Sequence, residues 1–257
     1  MYYYIAEPAI TPAEKRRIEE VKTVLSQLGI AGEFAVASPA RTVDEHLELA
    51  FAKNFTTIVA IGSDGLLSRV AARMLARGYD KAAIGIIPLR PDQAAWNMIG
   101  VHSLREVADI LRTRLLMPID VLEFGRGQAC IARSTISLDK PTAFHLRYNG
   151  VELRGTLTDA IILPSGELRL WDKTFQRSGG LLQKLFGGSK NQSKIGETSI
   201  NATRWQLATE RPCSVEVAGH AIAETPLTAE RREKALKLIV SRAIMSPDKE
   251  THTSKES

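Results

Sequence analysis

The chain reads as an α/β N-terminal domain with an open, mostly parallel sheet, followed by a C-terminal β-sandwich domain. Three observations carry this reading. Short apolar runs alternate with amphipathic helical stretches through residues 1–112. From Ile119 the helical period stops and strand follows strand. Within the first part, Thr57–Ile61 is a β-branched, apolar run suited to a strand buried on both faces. It passes into a helix through Gly62-Ser63-Asp64-Gly65. The expected domains are 1–117 and 118–246, with a polar tail at 247–257 that lacks large apolar side chains and reads as disordered.

In chain order, Tyr2–Ile5 is an aromatic strand that stops at Glu7-Pro8. Thr11-Pro12-Ala13-Glu14 is a capping box with proline at the first helical position. Its helix places Ile18, Val21, Leu25 and Leu28 on one face and ends at Gly29. Phe34 to Val36 forms a second strand, ended by Ser38-Pro39. Thr42 to Glu45 opens a helix that closes at Asn54. The helix after the Gly62 turn carries Leu66, Leu67, Val70 and Met74, and ends at Gly78. Ala83–Ile87 is a further apolar strand stopped by Pro88, and after a loop Ser103 to Glu106 starts another helix.

The second part offers the strands Ile119–Phe124, Ala129–Ser137, Ala143–Tyr148, Glu152–Leu163, Glu167–Trp171, Ser199–Ala208 and Cys213–Ala218. Asn149-Gly150 and Ser165-Gly166 are tight hairpin signals between them. Ala229–Lys234 has helical composition, and Leu236–Val240 is a last apolar stretch.

A glycine-bearing turn between a buried strand and a helix N-terminus presents backbone N–H groups that suit a phosphate. Gly62, Ser63 and Gly65 are the candidate binding residues, with Asp64 between them at the helix start. Such turns also join strands to helices with nothing bound, and Asp64 then serves as a helix cap.

Composition sets limits. Hydrophobic content of 44% and charged content of 25% in 257 residues are those of a globular protein. The net charge of +5 favours anionic partners but is too small to argue for nucleic acid. Cys130 and Cys213 each lie in an alternating apolar stretch, which fits buried reduced thiols. No apolar run reaches membrane-spanning length, and the expectation is a cytoplasmic protein, with a peripheral place at the inner face of the membrane as an extension. The sequence carries no signal of oligomeric state.

Several pieces in order resemble the diacylglycerol, sphingosine and related lipid kinases, together with their distant cousin NAD kinase. Ile61-Gly62-Ser63-Asp64-Gly65-Leu66 stands where that family has glycine-glycine-aspartate-glycine. Ile84-Gly85-Ile86-Ile87-Pro88-Leu89 resembles the strand leading to its second nucleotide loop, and Met117-Pro118-Ile119-Asp120-Val121 the approach to its β domain. Cys213–His220 lies where a family strand ends in aspartate-glycine-glutamate. The resemblance covers about residues 1–240. It implies a Rossmann/NAD-kinase-like first domain, a β-sandwich, an active site in the cleft between them, and transfer of phosphate from ATP with Mg²⁺ to a lipid alcohol.

The departures bear on activity. Where the family's second loop reads glycine-threonine-glycine-asparagine-aspartate, this chain has Arg90, Pro91, Asp92, Gln93 and Ala94. Proline removes a donor, and the lost glycines had let the backbone approach the nucleotide. A helix glutamate has become Arg69, and the late aspartate-glycine-glutamate is Ala218-Gly219-His220. Phosphoryl transfer needs a phosphate cradle, a metal clamp and a group that positions the acceptor. Two readings stand. In one, a divergent ATP-dependent kinase phosphorylates a diacylglycerol- or sphingosine-like alcohol, with Asp64 as the catalytic group near the acceptor and Arg90 and Arg69 gripping phosphate in place of glycine amides. In the other, which the replacements favour, the fold is kept with weak or no kinase activity, as a lipid- or anion-binding or regulatory protein.

The five histidines are scattered, with no pair at metal-ligand spacing, so no metal site is assigned. Trp96, Trp171 and Trp205 fit core or cleft-edge positions, and His220 an ordinary turn. Lys173–Lys194 contains five cations, no acid, and the apolar cluster Leu181, Leu182, Leu185 and Phe186 between two glycine pairs. That pattern suits contact of the loop 178–194 with an anionic membrane; an ordinary insertion between strands is the alternative. A nucleotide remains a candidate partner, and nucleic acid is not expected.

Overall fold

The computed structural model describes residues 1–30, 32–79, 81–90, 93–125, 127–172 and 196–245. The chain divides into two compact units, Met1–Ile119 together with the chain from Lys234, and Asp120–Glu233.

The first unit holds β1 (Tyr2–Ala6), α1 (Pro12–Gln27), β2 (Glu33–Val36), α2 (Val43–Ala52), β3 (Thr57–Gly62), α3 (Asp64–Ala76), β4 (Ala83–Pro88), α4 (Ala95–Ile99) and α5 (Leu104–Thr113). Its strands are parallel in the order β2-β1-β3-β4. Every residue of β3 and β4 is buried, as a sheet covered on both faces requires. The aromatic strand β1 serves both faces by its period of two. Tyr2 and Tyr4 stack on one side, where Tyr2 Oη donates to the Leu111 carbonyl of α5. Tyr3 points the other way, against Phe55 and His46 of the α2 region. Capping boxes start α1, α2 and α5 at Thr11, Thr42 and Ser103. In each box backbone N–H groups hold the glutamate carboxyl below its ordinary range.

The order reverses between β1 and β3: the chain leaves β1 for one edge and returns to its other side. At such a reversal the loops beyond the strands' carboxyl ends diverge and leave room for a ligand. Glu7 follows the last residue of β1 and Gly62 ends β3, so the candidate turn lies at this point.

The second unit contains most of β5 (Leu116–Phe124), then β6 (Gln128–Cys130), β7 (Ser134–Tyr148), β8 (Val151–Ile162), β9 (Glu167–Asp172), β10 (Gly196–Asn201), β11 (Arg204–Thr209), β12 (Ser214–Val217), β13 (His220–Glu224) and the first part of β14 (Leu227–Ile239). Its pairs are antiparallel: β10-β9-β8-β7-β11-β14, with the β12–β13 hairpin joined to β7. Alternation builds the core. Trp205 and Leu207 of β11 are buried while Arg204 and Gln206 are exposed. The short α6 (Arg242–Met245) follows β14.

Several local expectations are corrected. Ala229–Lys234 is strand, not helix. Its helical composition is overridden because Ala229 pairs with Trp205, Arg231 bridges to Asp120 at 2.7 Å and Arg232 to Glu123 at 2.9 Å. The end of β14 then pairs in parallel with β4, so the chain from Lys234 returns to the first unit, although the expected second domain ran to 246. The run expected at Ala129–Ser137 is split between β6 and β7, and Ala143–Tyr148 is the second half of β7. Ser199–Ala208 is divided between β10 and β11. The strand β13 and the helix α4 were not anticipated. Cys130 and Cys213 are buried and unbridged, and burial pushes the Cys130 thiol up to about 12. No helix among the described residues is long and apolar enough to cross a membrane.

The β12–β13 turn contains Ala218 at φ 49° and Gly219 at φ 79°, nearly the geometry of Asn149 (47°) and Gly150 (78°) in the β7–β8 hairpin. A left-handed backbone costs alanine about 1 kcal/mol, a strain asparagine largely avoids. Ala218→Asn is therefore expected to stabilise the protein by about 1 kcal/mol, raising the melting midpoint by roughly 2–4 °C. An unchanged or lowered midpoint would contradict the assigned turn. His220, beyond this turn, is exposed and pairs with Val217.

Candidate functional site

Gly62 closes β3 with φ 154°, a conformation that side chains disfavour. Ser63 caps α3: its Oγ accepts the Leu66 N–H at 3.1 Å. The cap is thus Ser63 rather than Asp64, the residue the sequence offered for it. Asp64 is the first helical residue and has no exposed surface. Its carboxylate accepts the N–H of Ala94 at 2.8 Å and that of Ala95 at 3.1 Å, so it caps α4 from thirty residues away. Gly65 is the half-buried second residue of α3.

The second loop is fastened to the first by side chains. Gln93, 5% exposed, donates from Nε2 to the Gly62 carbonyl at 2.7 Å and accepts the Arg90 N–H at 2.8 Å. Trp96 Nε1 donates to the Arg90 carbonyl at 2.7 Å. The backbone of Arg90 is therefore held beside the turn while its side chain is exposed, near enough to Glu14 to lower that carboxyl slightly. Arg69 faces elsewhere: its guanidinium makes paired bonds to Asp44 at 3.1 and 3.3 Å.

The turn residues Gly62, Ser63, Asp64 and Gly65 and the backbone of Arg90 thus form one cluster, and Arg69 is not part of it. Sequence reasoning missed Glu7, whose carboxylate accepts the Ser63 N–H at 2.8 Å and the Ser63 hydroxyl at 2.5 Å. Its place at the carboxyl end of a parallel strand was the available signal. It also missed the roles of Gln93 and Trp96.

Residues 7–124 match the family model of the diacylglycerol kinase catalytic domain. This stretch of the chain is similar to that catalytic domain. The match begins at Glu7 and includes the Gly62 turn and the Arg90 loop. Among solved structures, a putative diacylglycerol kinase from Bacillus anthracis str. Sterne superposes with a TM-score of 0.71 at 16% identity, covering 95% of this chain and 98% of that one. A second structure, described as a diacylglycerol kinase from the same strain, gives 0.69 at 14% identity with the same coverage. These establish a shared fold across both domains. No curated protein matches the chain by sequence.

The family implies Mg–ATP, and the residues of this cluster do not suit it as they stand. The Asp64 carboxylate already accepts two backbone N–H groups, and Ser63 is bonded to Glu7. Among the described residues, no three histidine, cysteine, aspartate or glutamate side chains converge, although Mg²⁺ beside a nucleotide needs only one or two carboxylates from the protein.

Proposed function

We propose that this lipid-kinase-like protein has weak or no kinase activity and acts as a lipid- or anion-binding, regulatory protein. The observation that carries the reading is the state of Asp64: a buried carboxylate bonded to two amides of the neighbouring loop holds structure together and is poorly placed to meet a substrate hydroxyl. The changed second loop and Ala218-Gly219-His220 support it.

Titration of ATP, with and without Mg²⁺, should give no metal-dependent binding in the micromolar range. Incubation with labelled ATP and a lipid extract should give no phosphorylated lipid above a blank. Lipid phosphorylation that disappears in Asp64→Ala while the variant remains folded would establish the active, divergent kinase.

The loop 178–194 lies outside the described residues; its role rests on its composition. It belongs to the connection between Asp172 and Gly196, which are paired at the end of the β9–β10 hairpin. In this reading its lysines draw the protein to an anionic membrane, and Leu182, Leu185 and Phe186 hold it there. Substituting glutamine for Lys184, Lys190 and Lys194 should weaken vesicle binding mainly at low salt, where the Debye length is ~10 Å at 0.1 M. Substituting serine for the three apolar residues should weaken it at every salt concentration. Equal sedimentation with neutral and anionic vesicles, or no loss in either variant, would refute this role.

A further inference from the structure

Glu7 occupies what the β3–α3 turn would offer a phosphate. The Ser63 N–H and the Ser63 hydroxyl both bond to its carboxylate. The space above Gly62 is filled by the same group, since a Cβ built there would stand 2.5 Å from Glu7 Oε2 and 2.8 Å from its Cδ. The backbone that carries the carboxylate is fixed: Glu7 N–H donates to the Ile61 carbonyl at 2.9 Å, and Pro8 follows. Only rotation of the side chain can vacate the turn.

We propose that Glu7 is an internal anion that closes this turn, an autoinhibitory contact that a phosphate group must displace. A carboxylate and a phosphate accept the same N–H and O–H donors, and both are favoured at the start of a helix of thirteen residues. The tethered carboxylate has the advantage of a high effective concentration, so the intact protein binds phosphate weakly. The free phosphate, a nucleotide phosphate and a lipid phosphate share this chemistry.

The inference rests on the reading that this turn is the family's anion-facing turn. Full-length wild-type, Glu7→Ala and Glu7→Gln proteins would be titrated at constant ionic strength with inorganic phosphate, ATP and short-chain phosphatidate, with binding followed by calorimetry and by the melting midpoint. Glu7→Ala should bind inorganic phosphate at least tenfold more tightly than wild type and recover its midpoint as phosphate is added. Glu7→Gln, which keeps the volume and removes the charge, should gain less. Adding Ser63→Ala to Glu7→Ala should abolish the gain, and the larger of the ATP and phosphatidate responses would identify the source of the phosphate. Equal phosphate affinity in wild type and both Glu7 variants would overturn the inference, as would failure of phosphate to restore Glu7→Ala when Glu7→Gln matches wild type. ATP turnover by the wild type would instead overturn the low-activity reading and leave the comparison between variants intact.

Discussion

Asp64→Ala is expected to destabilise the protein by about 3 kcal/mol, lowering the melting midpoint by roughly 6–12 °C. The carboxylate is buried, and its two oxygens take the Ala94 and Ala95 N–H groups. A hydrogen bond to a charged acceptor contributes about 1.5–3 kcal/mol, and truncation leaves two donors at the start of α4 without that acceptor. The helix has no side-chain cap of its own, so nothing local replaces it. Asp64→Asn should recover little, because its amide turns one donor toward another. Denaturant unfolding of the three proteins measures this directly. A loss below 1 kcal/mol would mean that Asp64 is not a structural clamp and would return it to the role of a catalytic base.

The second large effect is expected at Gln93. Removing the amide in Gln93→Ala leaves the Gly62 carbonyl and the Arg90 N–H without their partner and opens a cavity, at a cost of about 2 kcal/mol. Gln93→Glu is more informative because its cost depends on pH. The introduced carboxyl can still accept from Arg90, but when ionised it faces the Gly62 carbonyl oxygen, which raises its pKa in the folded state. Its protonated form can donate as the amide does. The variant should therefore approach wild-type stability at pH 4, below the ordinary glutamate pKa of about 4.3, and lose about 3 kcal/mol relative to wild type at pH 8, the loss developing as pH rises from that ordinary value to the raised pKa. Parallel unfolding curves at both pH values test this, and a pH-independent difference would show that Gln93 does not bridge the loops.

The sequence by itself determined the elements whose causes are local. Capping boxes at Thr11, Thr42 and Ser103 fixed three helix starts, because donor and acceptor lie within four residues of each other. The apolar runs of β3 and β4 fixed two buried strands, and Asn149-Gly150 fixed a hairpin through its left-handed backbone. The same locality made the Gly62-Ser63-Asp64-Gly65 turn and its family resemblance readable. Tertiary structure decided what depends on distant partners. Residues 229–234 became strand because β11 and the acids of β5 lay alongside, against a helical composition. The helix α4 starts where Asp64 supplies acceptors from another loop. Glu7 meets Ser63 across 56 positions because two parallel strands end side by side, and no period or spacing in the chain records that meeting. Local hydrogen bonding and hydrophobic period are written in neighbouring residues, whereas the partner of a buried carboxylate is chosen only when the sheet brings its loops together.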